Sequence, residues 1–173
     1  QMKSVGEAMA IGRSFKQSFQ KALRSLETGR AGFGADGKDR VHEQLDDESL
    51  AAALRKPHAE RIFAVHAALK RQWSIEAIFE LTRIDRYFLR HLAELVELEN
   101  ELGSVGSLAR LQQDVALFRQ AKQFGYSDRQ LAWLLHSDEV AVRAARKALK
   151  LEPTYSLVDT CAGEFEAQTT YYY

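Results

Sequence analysis

The chain has 173 residues, 46% hydrophobic and 28% charged, and its 24 Lys and Arg balance its 24 Asp and Glu. That size and mixture suit one globular domain with a real core, and zero net charge gives no global field toward nucleic acid or an anionic membrane. No apolar run approaches the ~18 residues of a membrane-crossing helix, and the single Cys161 excludes an intrachain disulfide framework and fits a reducing, cytoplasmic setting.

No secretory leader is visible, and Gln1 and the closing Tyr171-Tyr172-Tyr173 read as the ends of a piece cut from a longer chain. Residues 1–12 read as an extended or turn segment. From Arg13 a helix is predicted, with Phe15, Phe19, Ala22 or Leu23, and Leu26 on one face and Gly29 as its stop. Lys16, Lys21 and Arg24 fall on its polar, solvated side. Residues 29–45 are glycine-rich and charged and read as a loop. Gly32, Gly34 and Gly37 there spell GxGxxG, but a dinucleotide fingerprint needs a strand before it and a helix opening from it. Here a helix precedes, so the match is read as coincidental.

Asp46 or Asp47 caps a short helix closed by Pro57, with Leu50 and Leu54 on its apolar side. Such a helix either covers a core or offers its leucines to a partner. A helix from about His58 to Gln72 follows, with Ile62, Val65, Leu69 and Trp73 inward and His66 half-buried beside them. Then come two capped helices separated by a sharp turn: Ser74 opens the first, Asp85 the second, and Gly103 is read as the stop. The same grammar returns 53 residues later, where Ser127 matches Ser74, Leu131 matches Ile78, Leu134 matches Leu81, Asp138 matches Asp85 and Val142 matches Leu89. Between the copies, Leu108, Leu111, Val115 and Phe118 mark one more amphipathic helix. The last helix carries an alanine stripe (Ala141, Ala144, Ala145, Ala148), and Glu152-Pro153 breaks it. The tail changes to β-branched and aromatic residues typical of strands. The expected fold is all-α: an irregular bundle of seven or eight helices with two helix–turn–helix pairs and an extended C-terminal tail.

A search for chemistry yields no catalytic, cofactor-binding or metal-ligating set. His42, His58, His66, His91 and His136 are scattered without i, i+4 pairing, and one cysteine cannot build a zinc or iron–sulfur cage. No nucleophile elbow or Walker loop is present. Cys161 reads as a small buried side chain, and the run Glu94, Glu97, Glu99, Glu101 as the wet face of its helix. The alternative function is a helix-turn-helix nucleic-acid-binding module at 127–150, with Arg143, Arg146, Lys147 and Lys150 on its second helix. Five basic against three acidic residues there are a small surplus for phosphate binding, and the copy at 74–102 has an acidic second helix. No nucleic acid is therefore expected as a partner.

Four stretches carry a family resemblance. Met2 to Arg13 (MKSVGEAMAIGR), with Phe15 and Gln20 to Arg24, looks like the large chain of carbamoyl phosphate synthetase. Arg61-Ile62-Phe63 with Glu80 to Leu89, Val158 to Phe165, and Thr169 to Tyr173 resemble the same family in the same order. The resemblance implies three parts. Residues 1–28 close the first synthetase half and form a connecting helix, 29–152 form a helical oligomerisation domain, and 153–173 lead into the second synthetase half. It implies a non-catalytic fragment of an ATP-grasp ligase that makes carbamoyl phosphate from ATP, bicarbonate and glutamine-derived ammonia, with Mg²⁺ and K⁺. Its expected partners are the flanking halves, a second copy through Leu50 and Leu54, and a glutaminase through the parent. The sequence departs from the family at Gln72-Trp73-Ser74, where a glycine often precedes the aromatic-Ser pair, and in the loop 32–45.

Overall fold

The computed structural model describes residues 7–173; the extended or turn reading of residues 1–6 lies outside them. The fold class is the one expected, all-α, but the described residues form ten helices rather than seven or eight. They are α1 (Phe15–Ser25), α2 (Arg40–Glu43), α3 (Asp47–Arg55), α4 (Arg61–Lys70), α5 (Ile75–Thr82), α6 (Arg86–Val105), α7 (Leu108–Gln113), α8 (Val115–Gln123), α9 (Asp128–Leu134) and α10 (Glu139–Ala148).

The caps fall where the sequence put them. Ser74, Asp85, Ser127 and Asp138 each accept a hydrogen bond from a backbone N–H of the first turn, which satisfies a donor that has no partner inside the helix. At Ser127 the bond is reciprocal: the Gln130 side chain returns to the Ser127 N–H, closing a capping box. Three ends differ from expectation, the first being α1, which closes at Ser25 with Leu26 as its cap and does not run to Gly29. Gly103 does not stop α6, which continues to Val105 and ends at Gly106 in left-handed backbone. The stripe Leu108–Phe118 is two helices, because Asp114 leaves helical backbone and its side chain caps α8.

The duplication extends to a third helix. α4, α5 and α6 correspond to α8, α9 and α10 at the 53-residue offset. At the first corner the Trp73 N–H donates to the Ala68 carbonyl and the Tyr126 N–H to the Ala121 carbonyl. At the second, Arg83 and His136 both take left-handed backbone, φ 57° and 52°. Ile78, Leu131, Leu89 and Val142 are all fully buried. The two units meet through α6 and α9, and α4 is enclosed on every side, with Phe63 to Leu69 buried without a break. A helix apolar all round belongs in the middle of a core; this one is the centre of the molecule.

The tail forms no sheet. Its one isolated bridge, Leu157 with Tyr172, is antiparallel, flanked by Ser156–Tyr173 and Val158–Tyr171 backbone bonds. Cys161 is half-buried in this segment and not the buried side chain expected. On α10 the alanine stripe is also only partly used, since Ala145 is buried while Ala144 and Ala148 face solvent.

Candidate functional site

Within residues 29–45, read from sequence as a loop, the stretch 31–35 runs through the core and Asp39 is buried after it. Phe33 is fully buried, edge-on to His66 with ring centroids 5.0 Å apart and to Phe19 at 5.4 Å. The segment's backbone is satisfied by side chains from two distant helices. The Phe33 N–H donates to Gln20 Oε1 (2.7 Å), Gln130 Nε2 donates to the Gly34 carbonyl (3.0 Å), and Ser127 Oγ donates to the Ala31 carbonyl (3.1 Å). Arg30 closes the segment on itself, donating to Asp36 at 2.8 Å and pairing with Asp39, with its guanidinium 3.7 Å from the Phe63 ring centroid.

The three glycines of the literal GxGxxG have a packing reason. A Cβ on Gly32 would overlap the Gln20 and Gln130 amides, and one on Gly34 would overlap the His66 ring. One on Gly37 would stand 2.8 Å from the Trp133 ring. The motif lets backbone approach side chains rather than a pyrophosphate.

Beneath Phe33 lies a buried charge set. His66 Nε2 and Glu99 Oε2 are 2.8 Å apart, and Lys70 Nζ donates to Glu99 Oε1 at 3.0 Å and to Asn100 Oδ1 at 2.7 Å. Two sequence expectations are corrected here. His66 is fully buried rather than half-buried, and Glu99 is 5% exposed rather than on a wet face. Burial pushes the Glu99 carboxyl up, but the His66 hydrogen bond and the His66 and Lys70 charges reverse this and hold it below the usual range. The third polar anchor is Asp128, which accepts from Lys122 Nζ (2.8 Å) and from Arg146 Nε and Nη2 (3.3 and 3.2 Å). Arg143 stands 4.0 Å from the same carboxylate and bonds Glu139. Two of the arginines that suggested a recognition helix are thus tied to carboxylates of their own chain.

The polar side of α1 is likewise not free. Lys16 is buried and pairs with Glu94, and its ammonium lies 3.7 Å from the Phe124 ring centroid, while Arg24 Nη1 donates to the Gly125 carbonyl at 2.9 Å.

Leu50 and Leu54, expected at a self-association surface, are each 0% exposed and belong to the core where α3 lies on α4 and α5. They are not offered to a second copy. A nine-residue helix with two large apolar side chains needs both to hold itself down. What α3 presents outward is Glu48, Ser49, Ala52 and Arg55. Among the described residues no group of three or more His, Cys, Asp or Glu is placed to hold a metal, and no helix is long and apolar enough to cross a membrane.

Against known families, the model described as "Carbamoyl-phosphate synthetase large chain, oligomerisation domain" matches residues 7–150, which hold all ten helices. The chain belongs to that family. Relatives named carbamoyl phosphate synthase large chain are 52% identical in Synechocystis and 45% identical in Archaeoglobus fulgidus, each over the whole of this chain. A relative named carbamoyl phosphate synthase arginine-specific large chain, chloroplastic, from Oryza sativa subsp. japonica is 50% identical over the same span. The chain covers only 15%, 16% and 14% of these three relatives, about one seventh of their length. As an oligomerisation domain, its buried polar anchors shape a scaffold and its outer helix faces are what a neighbour can touch.

Proposed function

We propose that the chain is a non-catalytic joint and self-association module within a longer ligase chain. In this reading, two ATP-grasp halves flank it, and the parent makes carbamoyl phosphate from ATP, bicarbonate and glutamine-derived ammonia in the cytoplasm. ATP, Mg²⁺ and K⁺ serve the flanking halves, and a glutaminase joins through the parent. Residues 1–28 and 153–173 are the connections to those halves, and 29–152 the domain between them.

One observation carries the reading. Arg13, just before α1, donates from Nη2 to Ser156 Oγ at 3.2 Å, and its guanidinium lies 5.6 Å from the Tyr173 ring centroid. The segment leading into the helices and the segment leading out of them are therefore side by side. Attachments at one place let a helical body hold two flanking units in a fixed relation while its far faces stay open to a second copy. The oligomerisation name of the family and the full-length relatives support the same view.

The test uses the full-length large chain carrying this module, with its glutaminase. Glutamine-, ATP- and bicarbonate-dependent carbamoyl phosphate formation is expected. The combined Arg13→Ala and Ser156→Ala variant should keep each half's partial ATPase reaction and lose coupling between them. A full-length chain that forms no carbamoyl phosphate, or a variant coupled like the wild type, would overturn the reading.

A further inference from the structure

We propose that the groove between α1 and the α8–α9 corner is a binding site for a phosphate-class oxyanion. Two adjoining hollows of ≈ 380 and ≈ 230 Å³ share Lys21 and Arg24 in their walls. Lys122, Asp128 and Glu139 complete the charged lining of the smaller one. Arg143 and Arg146 stand behind, on Asp128. Five cations thus surround two carboxylates.

Lys122, Arg143 and Arg146 pair with these carboxylates, whereas Lys21 and Arg24 are held by neutral groups alone. Lys21 Nζ donates to the Ile11 carbonyl (3.0 Å), Arg24 to the Gly125 carbonyl, and Lys122 also to the Tyr126 carbonyl (2.6 Å). Among the described residues neither Lys21 nor Arg24 has a carboxylate partner. Carbonyls fix the direction of the Lys21 and Arg24 side chains without cancelling their charge, so a positive field remains over this open groove. Burial lowers the Lys122 ammonium, and the nearby Arg146 and Arg24 charges add to this despite Asp128; burial also lowers the Arg24 guanidinium.

A guanidinium fork and two ammonium groups lining one hollow suit an anion with several oxygens. A phosphate dianion would offset the surplus of five cations over two carboxylates. The adjoining larger hollow would take the organic part of a phosphate monoester. An occupant would touch α1 and the α8–α9 corner together and tighten the seam between the first helix and the second repeat.

The test is titration of inorganic phosphate into the 173-residue chain, followed by ³¹P line broadening and calorimetry, against chloride at matched ionic strength. Saturable binding is expected, weakened about tenfold by Lys21→Gln or Arg24→Gln and tightened by Glu139→Gln, with helical circular dichroism unchanged. Arg24 also supports Gly125, so if Arg24→Gln unfolds, the opposite responses of Lys21→Gln and Glu139→Gln decide. The proposal is overturned by absence of saturable binding, or by affinity indifferent to both of those variants. Binding to this chain but not to the full-length large chain would also overturn it, since the groove would then be a covered seam.

Discussion

Gln72 and Gly125 stand 53 positions apart and occupy the same corner of the two repeats, both in left-handed backbone, with φ 60° and 89°. Each precedes an aromatic residue and a capping serine, Trp73-Ser74 and Tyr126-Ser127. The corner demands that conformation because the chain must turn from α4 into α5, or α8 into α9, within a few residues. Glycine adopts it freely, while an L-residue pays about 1–2 kcal/mol.

The two corners should therefore respond oppositely to exchange. Gln72→Gly relieves strain at an exposed site, against a smaller entropy cost in the unfolded chain, and should stabilise by about 0.5–1 kcal/mol. Gly125→Ala should destabilise by about 1–3 kcal/mol, because its Cβ would stand 3.1 Å from the Gln17 Cα as well as holding positive φ. Urea unfolding of both variants checks this, and destabilisation by Gln72→Gly would contradict it.

Phe33 is the plug through which residues 30–39 join the core. Phe33→Ala should cost about 3–5 kcal/mol in denaturant unfolding. Gly34→Ala should also destabilise the fold, since its methyl group meets the His66 ring. A near-neutral result for either would show that the segment is not fixed in the core.

Glu99 predicts an acid limb. Its folded-state carboxyl is held below the ordinary value, so its contribution to stability is present above the unfolded glutamate value and lost as pH falls through the folded one. Glu99→Gln lacks that contribution at every pH. The stability gap between wild type and Glu99→Gln should therefore narrow as pH falls into the acid range. A gap of constant size between neutral pH and pH ~3 would contradict the pairing with His66 and Lys70.

Leu50 and Leu54 are core residues, so Leu50→Ala should cost about 2–5 kcal/mol. Helical circular dichroism and any assembly should weaken together. Ala52→Glu, on the outer side of α3, should leave the fold unchanged within about 0.5 kcal/mol. If Leu50→Ala were as stable as wild type by thermal melting, α3 would not be anchored by its leucines.

Local chemistry was legible in the sequence, and long-range fit was not. Ser74, Asp85, Ser127 and Asp138 announce helix starts because a cap acts within three residues, and the repeat could be seen from those caps and the apolar positions between them. The buried course of residues 31–35 could not be read, because glycine and charge normally mark a wet loop, and what reverses that meaning is Gln20, Gln130 and Ser127, up to 96 positions away. Glu99 left a signal that was missed. It continues the stripe of Leu92, Leu95, Val96 and Leu102, and an acid on an apolar stripe implies a buried partner. The role of Leu50 and Leu54 turned on which side of α3 faces the core, and periodicity finds an apolar face without saying what covers it.

The central claim, that these residues associate as a module, is tested most directly by sedimentation equilibrium of the 173-residue chain over a concentration series. The account predicts a mass rising above the 19.6 kDa of one chain toward a dimer or larger. Ala52→Glu is predicted to oppose that rise while retaining its helical circular dichroism. A mass of one chain at every concentration would contradict self-association by this domain.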